Sequence, residues 1–232
     1  MGSSLKIASV YGIEVRIHVS FLLVLGFFWF QYYQLGGVSG AIQGVLFILI
    51  LFACVTLHEF GHAFAARAFG IRTRDITLYA IGGVARLNRI PDKPWQELIV
   101  AIAGPLVNVV IAGVLFFVTH VTAGIQDVEF LENPRIEMLD KVAWANVFLI
   151  LFNLIPAFPM DGGRVLRALL AMVMPYARAT QIAAWVGQGL AFVFAVFGFF
   201  YNPILIFIAF TIFVGAQQEV AMTRGNRPSP PG

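Results

Sequence analysis

The chain has 232 residues, 59% of them hydrophobic and 12% charged, with a mean hydropathy of +0.85. That balance excludes an ordinary water-soluble domain, which carries about twice the charge. The net charge of +3 implies no polyanionic partner, and the Lys and Arg residues are scattered between apolar stretches, so nucleic-acid binding is not expected.

In chain order, Ile13-Glu14-Val15-Arg16-Ile17 alternates apolar and charged residues, which predicts a short strand at a membrane surface. His18 closes it and reads as a hydrogen-bonded structural residue. From Ile17 to His58 there is no Asp, Glu, Lys or Arg, and further charge-free stretches run from Leu98 to Gln126, Val142 to Met160 and Ala179 to Gln218. A membrane span takes about 20 apolar residues, so the first and last stretches each hold two spans, divided near 31–40 and 201–203. The fold class that follows is an all-α polytopic membrane protein with six transmembrane helices. The first stretch is not read as a signal peptide, because Gln31-Tyr32-Tyr33 stands where a small-residue cleavage site would be. Cys54 and His120 read as structural.

Ile76 to Leu87 is β-prone around Gly82-Gly83 and predicts a hairpin. Non-helical backbone near lipid must be paired or buried, so the hairpin is expected to join the N-terminal strand in a small membrane-associated sheet. Asp127 to Lys141 is read as an acidic extracytoplasmic loop. Residues 1–220 are read as one core and 221–232 as a flexible tail or linker stump. All Lys and Arg except Arg135 and Lys141 fall on one side if the amino terminus is cytoplasmic, which places both termini there.

The chemistry concentrates in His58-Glu59-Phe60-Gly61-His62. Ionisable residues inside lipid-length apolar sequence are costly and usually functional. Two histidines at i and i+4 share a helix face and can bind one zinc ion, with Glu59 beside them as general base. A catalytic zinc takes three protein ligands and leaves one position open. Asp161 is the candidate third ligand: it ends the fourth predicted span, where Pro156 and Pro159 break the helix and let the chain fold back. His62 is expected nearer the cytoplasmic end of its helix, and the metal with it.

The chain resembles the site-2 protease family of intramembrane zinc metalloproteases. The resemblance rests on His58 to His62 in the second of six helices, Ala103-Gly104-Pro105-Leu106-Val107-Asn108 in the third, and the Asp-Gly motif within Asn153 to Arg164 in the fourth. It is to the compact form, with neither a PDZ insert nor C-terminal regulatory domains in the sequence. It implies one zinc held by His58, His62 and Asp161. It also implies cleavage of a membrane-anchored substrate in or near its transmembrane segment, often releasing a regulator of transcription. Asn153 is a candidate for holding the substrate backbone or the oxyanion, and Asn108 a second. The hairpin can hold the substrate extended by strand addition. The rival reading, a non-proteolytic membrane zinc protein or transporter, predicts inverted repeats or ionisable residues on several helices, and only the single cluster is seen. Oligomeric state and substrate identity are not legible.

Overall fold

In the computed structural model, residues 4–80, 82–91, 93–123 and 134–225 are described. They form β1 (Ser4–Val10), β2 (Ile13–His18), α1 (Ser20–Ala68), β3 (Thr73–Tyr79), β4 (Gly82–Leu87), α2 (Pro94–Ala123), α3 (Pro134–Asn153), α4 (Asp161–Ala171), α5 (Tyr176–Phe200) and α6 (Pro203–Gly225). Mostly helical with one small sheet, the fold matches the coarse expectation. Among the described residues, four helices are long and apolar enough to cross a membrane: α1, α2, α5 and α6. Only 17% to 33% of their most apolar windows is buried, so large apolar side chains such as Leu23, Phe117, Phe192 and Phe210 face outward. Water does not tolerate a surface of that extent, and lipid does.

The elements fall into two units, one drawn from residues 1–90 and 103–150, the other from 91–102 and 151–232. In the first, α1 is interrupted at Gly36 and Gly37, the latter at φ 60° and ψ −150°, a conformation that glycine reaches without a Cβ clash. The break falls inside the predicted turn and folds the helix back on itself, bringing Phe21 to Phe52 with ring centroids 4.5 Å apart.

The sheet has the order β1-β2-β3-β4, with β2 and β3 parallel and the outer pairs antiparallel. A parallel pair needs a long crossover, and α1 is that crossover. One face of β2 and β3 (Ile13, Val15, Ile76, Leu78) packs on Phe21, Ile48, Phe52 and Phe60 of α1. The expected strand and hairpin are therefore present and joined. β1 is an addition, with all its side chains but one exposed. It is held by main-chain pairing with β2 and by Lys6, which lies 2.9 Å from the Glu14 carboxylate. Hydrogen bonds from Lys6 and then Arg16 hold that carboxyl at about 2, below its ordinary range.

α3 starts at Pro134, so Glu137, Asp140 and Lys141 are helical where a loop was expected. Proline suits a first helical turn, and Lys141 sits 2.5 Å from Glu137 one turn earlier. Asp127, Glu129 and Glu132 lie outside the described residues, as does the tail from residue 226. α3 ends at Asn153, and Asp161 opens a separate helix rather than ending a span.

In the second unit, α5 and α6 form an antiparallel pair joined at Tyr201-Asn202. Small residues bring their backbones together: Ala183, Ala184 and Ala216 pack around Phe158. Arg167 of α4 is 1% exposed and donates from Nε to Glu97 Oε1 at 2.8 Å and from a terminal nitrogen to Glu219 Oε1 at 2.8 Å. Its guanidinium also lies over the rings of Phe158 and Tyr176.

Candidate metal centre

His58 and His62 stand one turn apart on the second arm of α1, 5% and 4% exposed. Their Nε2 atoms converge to 3.1 Å. Two nitrogens on one tetrahedral zinc, each ~2.05 Å from it, are about 3.3 Å apart, so the pair fits a shared ion. The ring planes cross at 83°.

Gly104 of α2 provides the room. A Cβ there would lie 2.2 Å from His62 Nε2 and 2.7 Å from His58 Nε2. Gly61 permits the same approach from the α1 side, since its Cβ would meet Ala103 O at 2.6 Å. Only hydrogen atoms on both helices allow backbone and imidazoles to come this close.

Behind His58 runs a buried chain of amides. His58 Nδ1 is 2.5 Å from Asn108 Oδ1, Asn108 Nδ2 donates to Asn146 Oδ1 at 2.7 Å, and Asn146 Nδ2 donates to Val142 O at 2.8 Å. Both asparagines are fully buried. Asn108 is thus turned to His58 and Asn146 rather than displayed for a substrate.

Glu59 is half-buried and accepts a hydrogen bond from the Ala85 backbone N–H of β4 at 3.1 Å. Gly83 lies beneath it, where a Cβ would meet Glu59 Cγ at 2.8 Å. In an antiparallel ladder, successive residues point their N–H groups alternately toward and away from the partner strand. Ala85 pairs with Ile76 of β3, and its donation to Glu59 places this N–H on the outer edge of the sheet.

In the second unit, Asp161 is the first residue of α4 and is 7% exposed. The loop before it runs in tight turns, with Ala157 N–H donating to Ile155 O and Met160 N–H to Ala157 O. Gly162 and Gly163 let the first turn of α4 press on that loop: their Cβ atoms would meet Ile155 O at 2.3 Å and Ala157 C at 2.6 Å. A carboxylate is also favoured at a helix N-terminus. Asn153, half-buried, is the last residue of α3. Two imidazoles and a carboxylate, His58, His62 and Asp161, are the candidate metal donors among the described residues, and all three are buried. This donor set suits zinc with one open position.

The other histidines have structural surroundings. His18 Nδ1 accepts the Ser20 N–H at 3.2 Å and packs on the Tyr79 ring. His120 Nδ1 is 2.9 Å from the Phe116 carbonyl of its own helix.

Residues 46–134 and 121–197 match the model of Peptidase family M50. The chain belongs to this family. As a member of the M50 family it is 37% identical, over 94% of its length, to a zinc metalloprotease of Methanocaldococcus jannaschii. It is 35% identical, over 82%, to a putative zinc metalloprotease of Synechocystis. Stage IV sporulation protein FB of Bacillus subtilis is 26% identical over 72% of the chain. The chain spans 61%, 50% and 52% of those proteins' own lengths. Among solved structures, the site-2 protease of M. jannaschii matches with a TM-score of 0.68 at 35% identity, covering 99% of this chain and 98% of that one. The resemblance read from the motifs is borne out, and the apolar helices together with the family make this a membrane protein.

Proposed function

We propose that the chain is an intramembrane zinc endopeptidase that hydrolyses a peptide bond in or near the transmembrane segment of a membrane-anchored substrate. The observation that carries this reading is the convergence of His58 and His62 Nε2 to 3.1 Å with Glu59 next in sequence. His58, His62 and Asp161 hold the ion. Zinc, when bound, supplies a Lewis acid that makes water acidic near neutral pH and polarises a carbonyl. Glu59 takes the proton of the attacking water and returns it to the leaving amine. Asn153 holds the substrate backbone or the oxyanion.

The substrate must be extended to be cut, and the sheet offers an edge for that. β3 lies between β2 and β4, so the edge of the hairpin is β4. There the outward N–H of Ala85 is the donor that holds Glu59. A substrate strand pairing along β4 takes over this donor and releases Glu59 toward the water. Binding and activation of the base are then one event.

Six spans account for every helix but α4: the two arms of α1, then α2, α3, α5 and α6, with both termini cytoplasmic and the metal nearer that side. Residues 1–220 form the protease core, and a regulator of transcription is the substrate class. Glu59→Gln tests the reading. Cleavage of a co-expressed membrane-anchored substrate is expected to fall at least about 100-fold while zinc stays at one per chain. Retained cleavage, or loss of the zinc, would overturn the assignment of Glu59. A transporter would instead keep moving zinc in that variant.

A further inference from the structure

The amide chain behind His58 has a direction, and the direction matters to the metal. A carboxamide is ambidextrous: it can present either its oxygen or its NH₂ to a neighbour. If Asn108 turned its NH₂ to His58, Nδ1 would have to accept, the ring proton would move to Nε2, and Nε2 could no longer bind a metal. An asparagine is therefore a useful partner for a metal-binding histidine only when something fixes its orientation.

Here something does. Val142 O is a backbone carbonyl and can only accept, so Asn146 must direct Nδ2 to it at 2.8 Å. Asn146 then has Oδ1 facing Asn108 and accepts from Nδ2 at 2.7 Å. Asn108 is left with Oδ1 toward His58 Nδ1 at 2.5 Å. We infer that Asn108 and Asn146 are positioning residues: a relay anchored on Val142 O that holds the His58 proton on Nδ1 and keeps Nε2 available as a ligand. Metal-binding histidines commonly give their second N–H to a carboxylate or carbonyl. Two neutral amides do this inside an apolar stretch without placing a charge there, which lipid would penalise.

The inference rests on the zinc reading, and the test separates the two. The full chain is purified in detergent, stripped of metal, and titrated with zinc against a competing chelator. Asn108→Leu is expected to weaken zinc about 10- to 100-fold, and Asn146→Leu about 10-fold. A carboxylate accepts only and needs no orienting, so Asn108→Asp is expected to stay within about threefold of the parent. In that Asn108→Asp background the Asn146 Oδ1 faces an acceptor instead of a donor, so Asn146→Leu is then expected not to weaken zinc. The proton position is read independently in the zinc-free chain from the ¹⁵N shifts of labelled histidine. These are expected to show Nδ1–H at His58 in the parent and a shift toward the other tautomer in Asn146→Leu. Asn146 acting only as packing between helices would make Asn146→Leu equally harmful in both backgrounds and leave the tautomer unchanged, and that result would overturn the relay. Unaltered zinc affinity in Asn108→Leu would do the same. Failure of the zinc reading shows differently, as a parent chain that binds no zinc while the tautomer result still decides the relay.

Discussion

Gly104→Ala is the sharpest steric probe of the candidate centre. The added methyl would sit 2.2 Å from His62 Nε2, 2.5 Å from His62 Cε1 and 2.7 Å from His58 Nε2. Non-bonded heavy atoms settle near 3.5 Å, so His62 must retreat by more than ~1 Å or α2 must move away. Zinc sites tolerate distance errors of about 0.2 Å, and the methyl occupies the side from which both nitrogens are approached. The expected loss in zinc affinity is at least about 100-fold, the upper end of what removing an outer partner costs. The assay is chelator competition on detergent-purified protein, followed by metal analysis. Gly113→Ala is the control, because it lies on the same helix with nothing within 4 Å of its Cβ. An unchanged zinc affinity in Gly104→Ala, with Gly113→Ala also unchanged, would refute the placement of the metal between these imidazoles.

Ala85→Pro removes the N–H that the substrate strand takes over from Glu59 and, by weakening that pairing, is expected to reduce cleavage at least about 10-fold with zinc retained, whereas Ala85→Ser, which keeps the N–H, stays near the parent rate. Equal rates for the two, measured with zinc content and melting temperature alongside, would remove Ala85 from the mechanism. Gly83→Ala pushes a methyl to 2.8 Å from Glu59 Cγ, and a misplacement approaching 1 Å costs up to about 100-fold in rate. Its zinc is expected to be intact, so a loss of zinc would point to a damaged sheet instead. Asp161→Ala is expected to lower both zinc content and cleavage, and undiminished zinc in the purified variant would remove it from the ligand set.

What could be read from the chain was what local periodicity carries. The i, i+4 histidines, the β-prone segment around Gly82-Gly83 and the long apolar runs each declare themselves within a few residues. β1 is not legible because its apolar residues Leu5, Ile7 and Val10 are exposed rather than packed in a core, and its support is main-chain pairing with β2, which no local pattern displays. Asn146 escaped for a different reason. A single asparagine in an apolar stretch announces that it must have a partner, but not that the partner is Asn108, 38 residues earlier. The steric role of Gly104 is equally hidden in Ala103-Gly104-Pro105, because a close approach between helices exists only in three dimensions. The helical start of α3 was missed because acidic residues suggested solvent, where Pro134 and the Glu137–Lys141 pair support a first turn.

The buried guanidinium of Arg167 has a consequence for biosynthesis. Its carboxylate partners flank it in the sequence, Glu97 70 residues earlier and Glu219 52 residues later, near the end of α6. A nascent chain that has reached α4 therefore carries a cation whose second counter-charge has not yet been made. Removing one partner from a buried ion cluster leaves charge uncompensated, which strongly disfavours that arrangement. α4 begins with Asp161 and carries Arg167 on its second turn, so the final seating of the helix that bears the carboxylate waits for α6 to emerge. Translation order thus delays the final placing of Asp161 until α6 has been made.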